Sequence, residues 1–167
     1  MVQLSLSSEL KGSDAFGGSL NHGKRKTSRP LNSKKAVHIV FRAPAAKGNL
    51  SLLQKQNAIF IRTLLQKLSK KYFITVYEFA NSGNHLHLLV RFNNRALLQH
   101  FLRTYPALIA RFVTGARKGK PFGQRFWEKL VWTRIVAFGR AFRMVLQYVV
   151  SNRVRIAAAP AYALRPP

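Results

Sequence analysis

Apolar and polar positions change their period several times along this chain, and each change marks an element. Ala36–Ala43 (AVHIVFRA) is rich in β-branched residues and partly alternating, which predicts a strand. Across Leu50–Tyr72 the apolar positions Leu53, Ile61, Leu64, Leu65 and Leu68 recur at helical spacing among lysines and glutamines, with Asn49 as the expected N-cap. Phe73–Ala80 (FITVYEFA) and His85–Phe92 (HLHLLVRF) read as two strands, and the turn residues Asn81-Ser82-Gly83-Asn84 between them predict an antiparallel hairpin. Asn94 caps a second predicted helix carrying Leu97, Leu98, Phe101, Leu102, Leu108, Ile109 and Phe112, with Pro106 as a point of division. Phe126–Val136 reads as a fourth strand, and Arg140–Asn152 as a last helix preceded by Gly139. The order β-α-β-β-α-β-α implies an α+β domain: a mainly antiparallel sheet with the helices packed on one face.

Composition sharpens this outline. The chain has 167 residues, the size of one domain, and its 12 Phe, 5 Tyr and 2 Trp can fill a core. Residues 1–34 are rich in Ser, Gly, Lys and Asn, and read either as a solvated tail or as a basic arm that tracks a polyanion through Lys24, Arg25, Lys26 and Arg29. The folded domain is then expected over 35–156, with an Ala/Pro/Arg tail at 157–167. A second basic stretch, in the glycine-containing loop 114–123 and just beyond, holds Arg117, Lys118, Lys120 and Arg125. Lys and Arg number 29 against 4 Asp and Glu, a formal charge of +25. So large a surplus repels itself in a compact chain and calls for a polyanionic partner, with nucleic acid ahead of a membrane surface. Cysteine is absent, which excludes disulfides, thiolate metal sites and cysteine nucleophiles. No apolar run approaches the roughly 18 residues that span a bilayer, and the N-terminus lacks a signal-peptide core, so a cytoplasmic protein without membrane attachment is expected.

The scarcity of acids also limits the chemistry. Glu78 and Glu128 are the only carboxylates of the expected domain, so a carboxylate-built two-metal centre is excluded. His85 and His87, two apart on a strand, point the same way while Leu86, Leu88 and Val90 take the other face. Two neutral imidazoles so placed can grip one divalent ion, or they are two unrelated polar residues on a half-exposed strand. Tyr148 and Asn152 are one helical turn apart on a stripe that begins at Met144. A phenol beside a metal-bound phosphate is a feasible nucleophile, whereas a helical tyrosine by itself is more often packing. Glu128 either approaches the metal or pairs with a cation such as Arg125 or Lys129; Trp127 and Trp132 either stack on bases or join the core.

Asn84-His85-Leu86-His87-Leu88-Leu89-Val90, then Arg125-Phe126-Trp127-Glu128, then Tyr148-Val149-Val150-Ser151-Asn152-Arg153 resemble, in order and spacing, the HUH single-tyrosine transposases, in particular the REP-associated tyrosine transposases. The likeness covers roughly residues 36–155. Ser82-Gly83 stands where the family has Met-Pro, and Asn152-Arg153 where it has Asn-Pro. The resemblance implies an RRM-like, ferredoxin-like HUH fold. It implies that His85 and His87 ligate Mg²⁺ or Mn²⁺ with Asn152 as an amide ligand. It further implies that Tyr148 attacks single-stranded DNA to leave a 5′-phosphotyrosine and a free 3′-hydroxyl, in a bacterial homodimer acting on hairpin-forming strands. The competing reading is a non-catalytic single-stranded DNA or RNA binder, which has no need of His85, His87, Tyr148 and Asn152 together.

Either reading makes binding strongly salt-dependent, because each neutralised phosphate releases counterions. Affinity for single strands, measured by fluorescence anisotropy, is expected to fall by roughly two orders of magnitude or more between about 50 and 200 mM salt. A flat salt response would contradict the polyanion reading.

Overall fold

The computed structural model describes residues 14–21, 24, 27–128 and 130–158, with side chains described through Arg153. Five strands form one sheet: β1 (Ala15–Phe16), β2 (Ala36–Arg42), β3 (Ile74–Asn81), β4 (His85–Phe92) and β5 (Trp132–Val136). Their spatial order is β1-β5-β2-β4-β3, and every neighbouring pair is antiparallel. Three helices, α1 (Lys55–Lys71), α2 (Arg95–Thr114) and α3 (Arg140–Ala158), complete an α+β domain.

Strand alternation divides the sheet into two unlike faces. Val37, Ile39 and Phe41 of β2 and Leu86, Leu88, Val90 and Phe92 of β4 join Ile61, Leu64, Leu65 and Leu68 of α1 and Leu98, Phe101, Tyr105 and Ile109 of α2 in the main core. The opposite face carries Ala36, Ala80, Leu89 and Val136, and it is covered by Val145 and Val149 of α3. The expectation of helices on one face is thus corrected. Leu89 and its neighbours make part of the second face apolar as well, and that area must be covered too.

Helix boundaries follow from competing hydrogen bonds. Asn94 caps α2 as its sequence predicts, accepting from the Ala96 and Leu97 amides. Pro106 lies inside α2 and does not divide it; the ring is buried, and its carbonyl accepts from Trp127 Nε1 at 2.8 Å. α1 begins at Lys55, not at Leu50 under an Asn49 cap, and Gln54 holds the N-cap position. The cause is the β3–β4 turn, which claims the preceding backbone. The Leu52 amide donates to Gly83 O at 2.8 Å, and Asn81 Nδ2 donates to Leu52 O at 2.7 Å. Phe73 has φ of 52°, a left-handed kink that ends α1 and delays β3 to Ile74.

The expected strand Phe126–Val136 is shorter, beginning at Trp132. Phe126 and Trp127 turn inward against Phe41 and the main core, taking the upstream residues out of the sheet. The expected basic arm 1–34 is partly built into the sheet. Ala15 and Phe16 pair with Arg134 and Thr133, and Gly17 (φ 94°) sits so close to Val131 O that a Cβ would lie 2.1 Å from it. Residues 1–13 of that arm and 159–167 of the expected C-terminal tail lie outside the described residues. Among the described residues no helix is long and apolar enough to cross a membrane.

Leu88 is fully buried at the centre of the main core. Leu88→Ala is expected to cost about 2–5 kcal/mol and Asn94→Ala about 1 kcal/mol, read from urea unfolding midpoints.

Candidate active site

β2 and β4 lie side by side with Val40 opposite His87 and His38 opposite Leu89. Their even and odd positions therefore bring His38, Val40 and Arg42 onto the same face as His85 and His87. α3 crosses this face and adds Tyr148, while β5 adds Trp132. The result is a cavity of about 450 Å³ lined also by Asn84, Glu128, Gly18 and Ser19.

Three histidine rings and the tyrosine meet within it. The His85 and His87 ring centres are 4.8 Å apart, and Tyr148 stands edge-on to His87 at 5.6 Å and to His38 at 6.1 Å. Trp132 meets His38 edge-on at 5.3 Å, so it belongs to this site, whereas Trp127 belongs to the core. His38 and His87 are both buried, and His38 Nε2 lies 3.3 Å from His87 Nδ1. His85 Nδ1 is hydrogen-bonded to Asn84 Oδ1; a carbonyl oxygen can only accept, so Nδ1 carries the proton and Nε2 keeps its lone pair. Among the described residues His87 Nε2 is buried without a hydrogen-bond partner.

The electrostatics agree with neutral rings. Burial, reinforced by Arg134, lowers the His38 pKa to about 4. Burial, then the neighbouring His38 and His85, lowers that of His87 to about 3. His85 is lowered as well, by burial and then by Arg42. At neutral pH all three imidazoles thus keep a lone pair available.

The other residues singled out from sequence are distributed unevenly. Glu128 lines the cavity and lies 3.9 Å from Arg42, an exposed pair of little energetic weight, while its amide donates to Arg42 O. Asn152 is half-buried one turn beyond Tyr148; its Nδ2 is buried without a partner, and it does not line the cavity. Arg153 beside it pairs with Glu78 at 3.0 Å and ties α3 to β3. Arg29 does not project as an arm. Its Nη1 donates to Val131 O at 2.8 Å and Thr133 Oγ1 at 2.6 Å, its guanidinium lies over Phe16, and burial lowers its pKa to about 10. Lys24 is exposed, and Arg25 and Lys26 lie outside the described residues. Arg117, Lys118 and Lys120 are exposed on a tight turn closed by an Arg117–Lys120 bridge, and Arg125 lines a second cleft beside Arg111 and Trp127. His38 and Arg42 are the site residues that sequence reasoning missed; a histidine interrupting the apolar run of β2 was the available signal.

The family profile described as "Transposase IS200 like" matches residues 32–152. No curated protein matches the sequence. Among solved structures, a REP-associated tyrosine transposase bound to a REP hairpin superposes with a TM-score of 0.58 at 10% identity, covering 81% of this chain and 76% of that one. A protein of Deinococcus radiodurans R1, described as a candidate transposase, gives a TM-score of 0.46 at 15% identity, covering 77% and 98% of the two chains.

Each buried neutral histidine must take up a proton on unfolding once the pH drops below the ordinary imidazole value of about 6.5. His38 and His87 therefore stabilise the metal-free fold fully above that pH, and the contribution is lost as pH falls toward their folded values of about 4 and about 3. Denaturant melts in EDTA are expected to show stability declining from pH 6.5 to pH 4, with each histidine adding at most about 1.4 kcal/mol per pH unit. The decline should be shallower in His38→Phe.

Proposed function

The chain belongs to the IS200-like transposase family, and from that premise we propose that it nicks and rejoins single-stranded DNA through a covalent bond to Tyr148. The observation that carries this reading is the cavity itself: a tyrosine ring edge-on to a buried imidazole whose Nε2 has no partner, in a pocket open to a phosphate. Tyr148 Oη attacks the scissile phosphorus, the bond to the 3′-oxygen breaks, and the 5′-phosphate is left on the tyrosine. The phenolic proton ends, in net, on the departing 3′-hydroxyl. Resealing is the reverse, with a 3′-hydroxyl displacing Tyr148 Oη.

A divalent ion, Mg²⁺ or Mn²⁺, fits the donor atoms present. His87 Nε2 is orphaned and unprotonated in the ligand tautomer, and His85 Nε2 is held bare by Asn84. Among the described residues no three imidazole or carboxylate groups form a metal cluster, so two imidazoles would hold the ion, with amide, phosphate or water oxygens completing its shell. Asn152, one turn from Tyr148, is the amide in that proposal, although its side chain does not line the cavity. Bound there, the ion supplies Lewis-acid polarisation of the phosphate. Arg42, at the cavity wall, attracts the phosphate, and Glu128 beside it limits how strongly.

The exposed cations of the 117–120 turn, with Lys24 and Arg125, suit the flanking backbone, and Arg25 and Lys26 add basic charge next to Lys24 in the sequence. The superposing REP-associated transposase is bound to a hairpin, which supports hairpin-forming single strands as substrate. The family resemblance further implies a homodimer working in the bacterial cytoplasm.

Mixing the protein with labelled hairpin DNA and Mn²⁺, then running a denaturing gel, should give a covalent protein–DNA band. Tyr148→Phe should abolish it, and His87→Ala should lower its rate roughly a hundredfold or more. Tight binding with no adduct on a broad hairpin set would instead establish a non-catalytic binder.

A further inference from the structure

His38 has no place in the chemistry described so far, yet it is among the most buried polar side chains of the molecule. Its ring plane is 20° from that of His87, and its Nε2 faces His87 Nδ1 at 3.3 Å. Trp132 and Tyr148 meet it edge-on, so the ring is wedged in one orientation. β2 fixes the rest: His38 pairs with Leu89, diagonally across the ladder from His87.

Two neutral imidazoles joined through one pair of nitrogens must divide the roles of donor and acceptor. Were His38 to donate, His87 would carry its own proton on Nε2, as a buried N–H with no acceptor among the described residues, which is costly. Were His87 to donate from Nδ1, its Nε2 would be a bare lone pair on a ring that lines the cavity. We infer that His38 is a positioning residue that accepts the Nδ1 proton of His87 and thereby locks His87 in the tautomer whose Nε2 keeps its lone pair. The role of that lone pair as a metal ligand rests on the function proposed above; the tautomer does not. Asn84 does for His85 what His38 does for His87, so two unrelated acceptors, an amide oxygen and an imidazole nitrogen, set both rings alike.

The test uses the full chain. Long-range ¹H–¹⁵N correlation spectra of the metal-free protein at pH 7 should show His87 protonated on Nδ1 and bare on Nε2. His38→Phe, which keeps an aromatic ring but removes the acceptor, should let the Nε2–H tautomer appear. It should also weaken Mn²⁺ binding, followed by electron paramagnetic resonance, by about 10–100-fold. His38→Gln offers an amide oxygen as acceptor and should keep the Nδ1–H tautomer, with Mn²⁺ affinity within about threefold of the parent, well short of the loss expected when such a partner is removed. An Nε2–H tautomer in the parent protein overturns the inference, as does an unchanged Nδ1–H tautomer of His87 in a folded His38→Phe. If His38→Phe does not fold, the parent spectrum and His38→Gln still decide. A parent protein with the Nδ1–H tautomer but no affinity for Mn²⁺ would overturn the metal reading and leave the role of His38 standing.

Discussion

The ladder between β2 and β4 is what the remaining structure is arranged around. Six consecutive residue pairs, from Val37 with Val90 to Arg42 with His85, hold the two central strands in one register. That register sends Val37, Ile39 and Phe41 with Leu86, Leu88 and Val90 to one side, and His38 and Arg42 with His85 and His87 to the other. A slip by one residue would turn one strand over, driving either His38 or the His85 and His87 pair into the main core and exposing that strand's aliphatic set, so the alternation is self-enforcing. α1 and α2 cover the dry side completely. α3 covers only part of the other, where Ala36, Ala80, Leu89 and Val136 lie, and the uncovered remainder is the cavity.

Features that depend on neighbours in sequence were legible there. The histidine pair on one strand face, the Asn94 cap and the hairpin through Gly83 each rest on residues a few positions apart. Features decided by distant partners were not. The first turn expected of α1 is lost because Leu52 bonds to the backbone of a turn some thirty residues away. The upstream half of the expected last strand is lost because Trp127 finds the carbonyl of Pro106. His38 stood out locally only as a histidine among apolar neighbours; its meaning comes from strand pairing with β4, which lies far along the chain.

Charge is distributed with similar economy. Of the described carboxylates, Glu78 fastens α3 to β3 through Arg153, and Glu128 neighbours Arg42 at the cavity rim. Arg29 is satisfied by neutral acceptors, a carbonyl and a threonine hydroxyl. Few acids remain to offset the surface lysines and arginines, so the positive field stays outside the core and extends around the pocket.

The segment 14–21 forms one wall of that pocket through Gly18 and Ser19, yet only Gly17 within it is buried. A two-residue strand, a few backbone hydrogen bonds and the guanidinium of Arg29 hold it down. With so little apolar surface at stake, this edge of the sheet is expected to open at a lower free energy than the central strands. The central strands and their histidines would stay in place during such an opening. The pocket thus has a floor set in the middle of the sheet and one side built from its edge, so its two halves need not share one stability.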